Sequence, residues 1–218
     1  MFFIPKTRAI SRVCLYRDCQ NLHMHNPLPD RQELRQRRRA IPAKTRIQAA
    51  AKLAEQILSI PGFPVRGYIA GYWAMDGEIS LHALQLRLPA DCIWCLPVLD
   101  EARKVLKFAP WRMGDALVSN RYGIPEPDFA PSALLDAQQM ALIVLPLTGF
   151  DHHCHRLGMG GGWYDRSLAF RQQSNGKPPL LVGAGFSLQE VPSIRVRSWD
   201  IACDYIATES GLLKRAGA

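Results

Sequence analysis

The residues best suited to chemistry stand together in Arg156-Leu157-Gly158-Met159-Gly160-Gly161-Gly162-Trp163-Tyr164-Asp165. Four of the five positions 158–162 are glycine, which lets backbone N–H groups approach an anion with no side chain in the way. The stretch joins an apolar run to a helical pattern, so a helix N-terminus adds partial positive charge and Arg156 adds a full one. This is how a phosphate cradle is built. It is not a Walker A loop, because no Gly-Lys-Ser/Thr follows, and it is not a G-x-G-x-x-G dinucleotide turn. Asp165, one turn into the helix, suits Mg2+ rather than phosphate. The plain alternative is a tight turn with no ligand.

Other reactive residues form weaker patterns. Cys92 and Cys95 fit C-x-x-C but lie in an apolar run that reads as a strand, where residues three apart point to opposite faces. Buried thiols are expected there rather than a redox or zinc pair. His152-His153-Cys154-His155 has metal-ligating side chains but no partner pair at zinc spacing, so solvated loop residues are expected. No Ser-His-Asp or Cys-His arrangement stands out.

The elements that must position the glycine segment can be read from periodicity. Asp30 caps a helix through the arginine cluster to about 40, and Pro42 opens a second helix with an apolar face from Ile47 to Ile57. Strands are expected at 66–74, 92–98, 104–110, 139–146, 179–186 and 201–207. Short helices are expected at 81–88 and 163–173. The central strands are apolar throughout and alternate with helices, which predicts a mostly parallel α/β sheet covered on both sides. One domain over 30–210 is expected, with a C-terminal tail at 211–218.

Composition narrows the function classes. Hydrophobic residues make up 48% of the 218, enough for a core, and the uncharged run 137–150 is too short to span a bilayer. Lys6, Arg8, Arg12 and Arg17 break any signal-peptide core. Residues 1–39 hold most of the net +8, so the body lacks the basic face of a duplex binder and nucleic acid is not expected as a partner. Six cysteines without a secretion signal suggest free thiols in a reducing, cytoplasmic setting. Residues 1–29 read as an extension, as sequence upstream of a start at Met24, or as a targeting-like segment.

The glycine segment, with Phe150-Asp151 before it, closely resembles the 5-formyltetrahydrofolate cyclo-ligase family. Ala74-Met-Asp-Gly-Glu78-Ile79 and Asn120-Arg-Tyr-Gly-Ile-Pro-Glu-Pro127 follow the family's order, as do Pro192 and Trp199-Asp200-Ile201. The resemblance implies a three-layer sandwich related to the ribose-phosphate isomerase and CoA-transferase group. It also implies ATP- and Mg2+-dependent closure of 5-formyltetrahydrofolate to 5,10-methenyltetrahydrofolate, by a monomer serving one-carbon metabolism.

Carried over by position, Arg156 and Tyr164 would act at the reacting groups. Leu157, Gly158, Met159, Gly160, Gly161, Gly162, Trp163 and Tyr164 would line the ATP site with Arg156. Asp165 and Asp200 would bind Mg2+, and Trp73, Glu78 and Trp163 would contact the folate. Arg31 matches the second basic residue of an N-terminal Lys-x-x-x-Arg contact whose first falls on Pro27; a shifted register pairs Arg31 with Arg35 instead. Gly161 stands where the family has lysine.

Each role has a plainer reading beside it. Residues 31–39 could form a solvated helix face, above all Arg37, Arg38 and Arg39. Glu78 could cap a turn, Asp200 could be a surface carboxylate, and Trp73 could be core. A nucleotide- or RNA-binding protein that keeps the fold without the chemistry is the second function class. A sugar-phosphate or acyl-CoA enzyme on the same sheet is a third.

Overall fold

The computed structural model describes residues 30–173 and 179–217. The expectations for 1–29, including Pro27 and Met24, lie outside the described residues. The chain begins with α1 (Arg31–Arg39), whose N-cap Asp30 accepts a hydrogen bond from the Glu33 N–H, and continues into α2 (Ala43–Leu58). Next come β1 (Arg66–Ala70), the single turn α3 (His82–Gln85), and the antiparallel pair β2 (Asp91–Asp100) and β3 (Val105–Pro110). A small hairpin of β4 (Leu117–Ser119) and β5 (Pro125–Pro127) precedes β6 (Met140–Pro146). β7 (Gly149–Phe150) and β8 (Arg156–Leu157) pair with each other, and α4 (Trp163–Ser167) follows. The chain closes with β9 (Leu180–Ala184), β10 (Tyr205–Ala207) and β11 (Leu212–Lys214).

Seven strands form the main sheet in the order β11-β10-β9-β6-β1-β2-β3. The five inner strands run parallel, and β3 and β11 are antiparallel edges. Side chains alternate between two cores, as the pleat requires. Ile69, Leu142, Val144 and Val182 pack with Leu53 and Ile57 of α2. Ala70, Ile143, Leu145 and Leu181 face the opposite core, with Phe150 and Leu168. Both faces are therefore covered, and the apolar runs read from the sequence are the strands buried on both sides.

Several expectations need correction. The helix expected over 163–173 is five residues of α4 followed by a 3-10 turn at Ala169–Gln172. The apolar spacing of Leu168 and Phe170 continues, but the backbone tightens. Residues 81–88 hold only one helical turn. The expected tail is in part structure, since β11 pairs with β10 and gives the sheet an edge strand. β1 ends at Ala70, so Trp73 lies beyond the strand and is 36% exposed rather than core.

Cys92 and Cys95 do lie on one strand, and they join opposite cores. Burial pushes the Cys95 thiol up to about 12, far from a reactive thiolate. The 152–155 segment is not uniformly solvated. Cys154 is fully buried, and His155 Nδ1 lies 3.0 Å from the buried carboxylate of Asp151.

Candidate functional site

The chain reverses its direction of strand addition between β1 and β6: β2 and β3 extend the sheet on one side, while β9, β10 and β11 extend it on the other. In open α/β sheets this switch point opens a crevice at the carboxyl ends of the strands. The turn bearing Asp76 and Glu78 leaves the end of β1. The segment from Leu147 through the glycine loop leaves the end of β6. The topology thus brings both candidate segments to one crevice.

α1 closes over that crevice. Arg31 Nε donates to the Gly158 carbonyl at 2.8 Å, so this arginine reaches the glycine loop. Arg35 does not. Its Nε donates to Asp76 Oδ2 at 2.6 Å, which places it on the turn beyond β1. Of the two N-terminal registers, the structure therefore brings only Arg31 to the loop.

Arg38 overturns the solvated-face expectation. Its side chain is fully buried and donates to the Asp76 carbonyl (2.9 Å), to Asp76 Oδ2 (2.8 Å) and to the Leu147 carbonyl (2.9 Å). Glu78 Oε1 stands 3.7 Å from it. Arg39, exposed, also pairs with Asp76 at 2.8 Å, whereas Arg37, equally exposed, pairs with Glu33 one turn away at 2.5 Å. Leu34 and Arg38, four apart and both fully buried, mark the inward face of α1. That spacing was the available signal for Arg38.

Charge in this cluster is tuned by burial and pairing. Burial works to raise the Asp76 carboxyl, but hydrogen bonds from Arg35 and Arg38 outweigh it and hold the group below the ordinary value. Glu78 goes the other way. Its burial is the largest influence, and the Met75 N–H and Arg38 only partly offset it, so the carboxyl stays raised. The Met75 N–H donates to Glu78 Oε2 at 3.0 Å, so the turn-capping reading of Glu78 is correct as far as it goes. Burial and then the Glu78 charge raise both the Tyr72 and Tyr164 hydroxyls.

The loop itself has uncommitted donors. Among the described residues, none of the N–H groups of Gly158, Met159, Gly160, Gly161 and Gly162 donates to a protein acceptor. Gly160 and Gly162 have φ of +98° and +65°, conformations that side-chain-bearing residues adopt at a cost. α4 is too short for a sizeable dipole, so the loop's own N–H groups and its arginines supply most of the positive potential.

Arg156 and Asp165 form a partly buried ion pair, and Arg156 also donates to the Ile201 carbonyl. Asp165 Oδ1 accepts from the Ile201 N–H at 3.2 Å, so it is tied to the backbone of the residue after Asp200. Asp200 Oδ2 accepts from the Arg197 N–H at 2.8 Å and lies on the wall of a small cleft with His155 and Arg156. No three His, Cys, Asp or Glu side chains converge among the described residues, so the protein's share of a metal shell is at most these two carboxylates. That suits Mg2+, which keeps most of its shell for phosphate oxygens and water.

The aromatic candidates separate. Trp73 meets Trp111 edge-on, with ring centroids 5.7 Å apart, near the β1 turn. Trp163 and Tyr164 are partly buried against the second core below the loop. Asn120 and buried Glu126 anchor the β4–β5 hairpin, with Glu126 accepting from the Leu99 N–H at 3.1 Å and from Asn120 Nδ2 at 2.7 Å. The hairpin, part of the 120–127 stretch, carries Arg121 to 5.8 Å from the Trp163 ring centre.

With this geometry in hand, similarity to known proteins becomes informative. Residues 28–209 match the model of the 5-formyltetrahydrofolate cyclo-ligase family. The 5-formyltetrahydrofolate cyclo-ligase of Escherichia coli (strain K12) is 31% identical over 180 residues, covering 81% of this chain and 97% of that protein. The Haemophilus influenzae protein of the same name is 31% identical over 178 residues, covering 78% and 91%. The fold resembles the NMR structure of Aquifex aeolicus 5,10-methenyltetrahydrofolate synthetase, with a TM-score of 0.71 at 23% identity over 86% of this chain and 92% of that one. No helix among the described residues is long and apolar enough to cross a membrane. The chain belongs to the 5-formyltetrahydrofolate cyclo-ligase family.

Proposed function

We propose that the protein closes 5-formyltetrahydrofolate to 5,10-methenyltetrahydrofolate at the expense of ATP, releasing ADP and phosphate. One observation carries this reading. A glycine loop with five uncommitted N–H groups, its Gly158 carbonyl held by Arg31, leaves the end of β6 at the same switch point as the β1 turn that carries the largely buried Glu78. A phosphate-binding element and a buried carboxylate suited to a polar heterocycle thus face one crevice.

In this reading the formyl oxygen attacks the γ-phosphorus as the bond to ADP breaks. N10 then adds to the activated formyl carbon, and the C–O bond breaks to release phosphate, which carries away the N10 proton. Such a reaction asks the protein for positioning and charge neutralisation rather than a nucleophile. The N–H groups of 158–162 bind the phosphate chain, with Leu157 and Met159 lining the loop. Arg156, fixed by Asp165 and the Ile201 carbonyl, faces the transferring group. Tyr164, kept protonated, can donate a hydrogen bond there. Glu78 and Trp73 orient the folate, with Trp163 at the loop edge. Asp165 and Asp200 would hold Mg2+, which when bound would neutralise charge on the phosphates. Arg35 acts on the folate side, through Asp76, rather than on ATP.

Three finer points belong to the same proposal: the kinship of the sheet with the ribose-phosphate isomerase and CoA-transferase group, a monomeric state, and a cytoplasmic setting.

The test combines protein, Mg2+, ATP and 5-formyltetrahydrofolate and follows near-ultraviolet absorbance. An ATP-dependent rise is expected as the methenyl product forms. ATP binding with no absorbance change would overturn the reading and favour a binding protein that has kept the fold.

A further inference from the structure

The glycine loop does not orient its own peptides. The Gly161 carbonyl accepts from Arg166 Nη2 at 3.0 Å, and the same guanidinium donates through Nε to the Lys104 carbonyl at 2.5 Å. Its carbon lies 5.3 Å from the Trp163 ring centre. A Cβ at Gly162 would stand only 2.8 Å from Arg166 Nη1, so the glycine also leaves room for this arginine. Although Arg166 is exposed, all three of its contacts are directed at the loop and what supports it. The backstop, Lys104, sits in the β2–β3 turn at a φ of +57°, a left-handed conformation that costs a lysine about 1 kcal/mol.

In a trans peptide the C=O and N–H point in opposite directions. Holding the Gly161 carbonyl on Arg166 therefore turns the Gly162 N–H to the other side. Arg31 does the same at the other end of the loop, where its grip on the Gly158 carbonyl turns away the Met159 N–H. Neither N–H donates to a protein acceptor among the described residues.

We infer that Arg166 is a positioning residue of the nucleotide site, fixing the Gly161–Gly162 peptide and the Trp163 ring so that the cradle is formed before ATP arrives. The inference rests on the ATP-dependent reading above. It is specific about geometry. A lysine at 166 keeps the charge, but one ammonium nitrogen cannot replace a planar fork held on two carbonyls.

The experiment compares wild type, Arg166→Ala, Arg166→Lys and Arg121→Ala, with Arg121→Ala as the control because it stacks near Trp163 without bonding the loop. Both Arg166 variants are expected to raise the KM for ATP about tenfold, the worth of one lost charge-assisted hydrogen bond. The KM for 5-formyltetrahydrofolate and the melting temperature should hold. Arg121→Ala should match wild type. Wild-type ATP dependence in Arg166→Lys, or equal rises in both KM values, would overturn the assignment. If Arg166→Ala fails to fold, Arg166→Lys decides alone. Wild type that binds ATP but forms no product would refute the cyclo-ligase reading instead, and the ATP dissociation constants of the same variants would then decide the role of Arg166.

Discussion

At the turn after β1, charges are answered from within the chain: Asp76 receives Arg35, Arg38 and Arg39, and Arg38 is in turn shared with Leu147 and Glu78. At 158–162 the opposite holds, for the carbonyls at Gly158 and Gly161 are occupied while the N–H groups around them are left open. The first region uses its polar groups to fix a shape. The second is held from behind so that its polar groups remain available. A binding element of this kind needs a rigid neighbour, since an open donor directs a ligand only if the peptide bearing it cannot turn.

The contrast can be broken most forcefully at Arg38. Arg38→Met should leave Asp76 and Glu78 short of a buried partner and cost about 3–5 kcal/mol. That corresponds to a melting temperature lower by roughly 10 °C or more. A shift of only a degree or two would show that the cluster does not fix the shape.

Asp165→Asn should do the reverse, sparing the fold while lowering kcat by about 100-fold or more, because charge is lost where the phosphoryl group transfers. Circular dichroism of the folded variant beside its turnover separates the two effects. Wild-type turnover would remove Asp165 from the metal assignment.

Acid sharpens the comparison further. Asp76 and Asp151 are held below the ordinary aspartate value of 3.8, because hydrogen bonds to each carboxylate outweigh the opposing burial. A depressed folded pKa gives stability that is complete above the unfolded value and lost as pH falls through the folded one. Glu78, raised above 4.5, has the opposite sign and costs stability as pH climbs through that region. Asp151→Asn should therefore flatten the fall in urea midpoint below about pH 4. An unchanged slope would show that the Asp151 turn contributes nothing to acid sensitivity. The smallest effect belongs to Arg37→Ala, whose exposed i,i+4 pair with Glu33 is worth about 0.3–0.5 kcal/mol. A loss as large as that at Arg38 would mean that exposure on α1 does not separate the two arginines.

What could be read from the sequence follows the same division. The loop was legible because glycine density and Arg156 express its chemistry locally, and α1 and the inner strands were legible because periodicity is local too. Arg38 was marked only by its spacing from Leu34, since a buried cation is defined by partners such as Asp76 and Leu147, distant along the chain. The β4–β5 hairpin was hidden by strands of three residues with prolines at 125 and 127. Arg31 and Arg35 were indistinguishable as residue types, and only their positions around α1 sent one to Gly158 and the other to Asp76. Arg166 carried no signal of its own, because its acceptors are main-chain carbonyls that have no sequence signature.

The tethering of α1 also bears on how the chain assembles. Arg38 meets Leu147 across 109 residues and Arg31 meets Gly158 across 127. Loops of that length close late, because the entropy of closing them is recovered only once the strands between have paired. During synthesis α1 emerges long before Leu147 and Gly158 exist. Those two contacts can form only after β6 and the loop beyond it have been made, so the crevice joins segments separated by more than a hundred residues of synthesis.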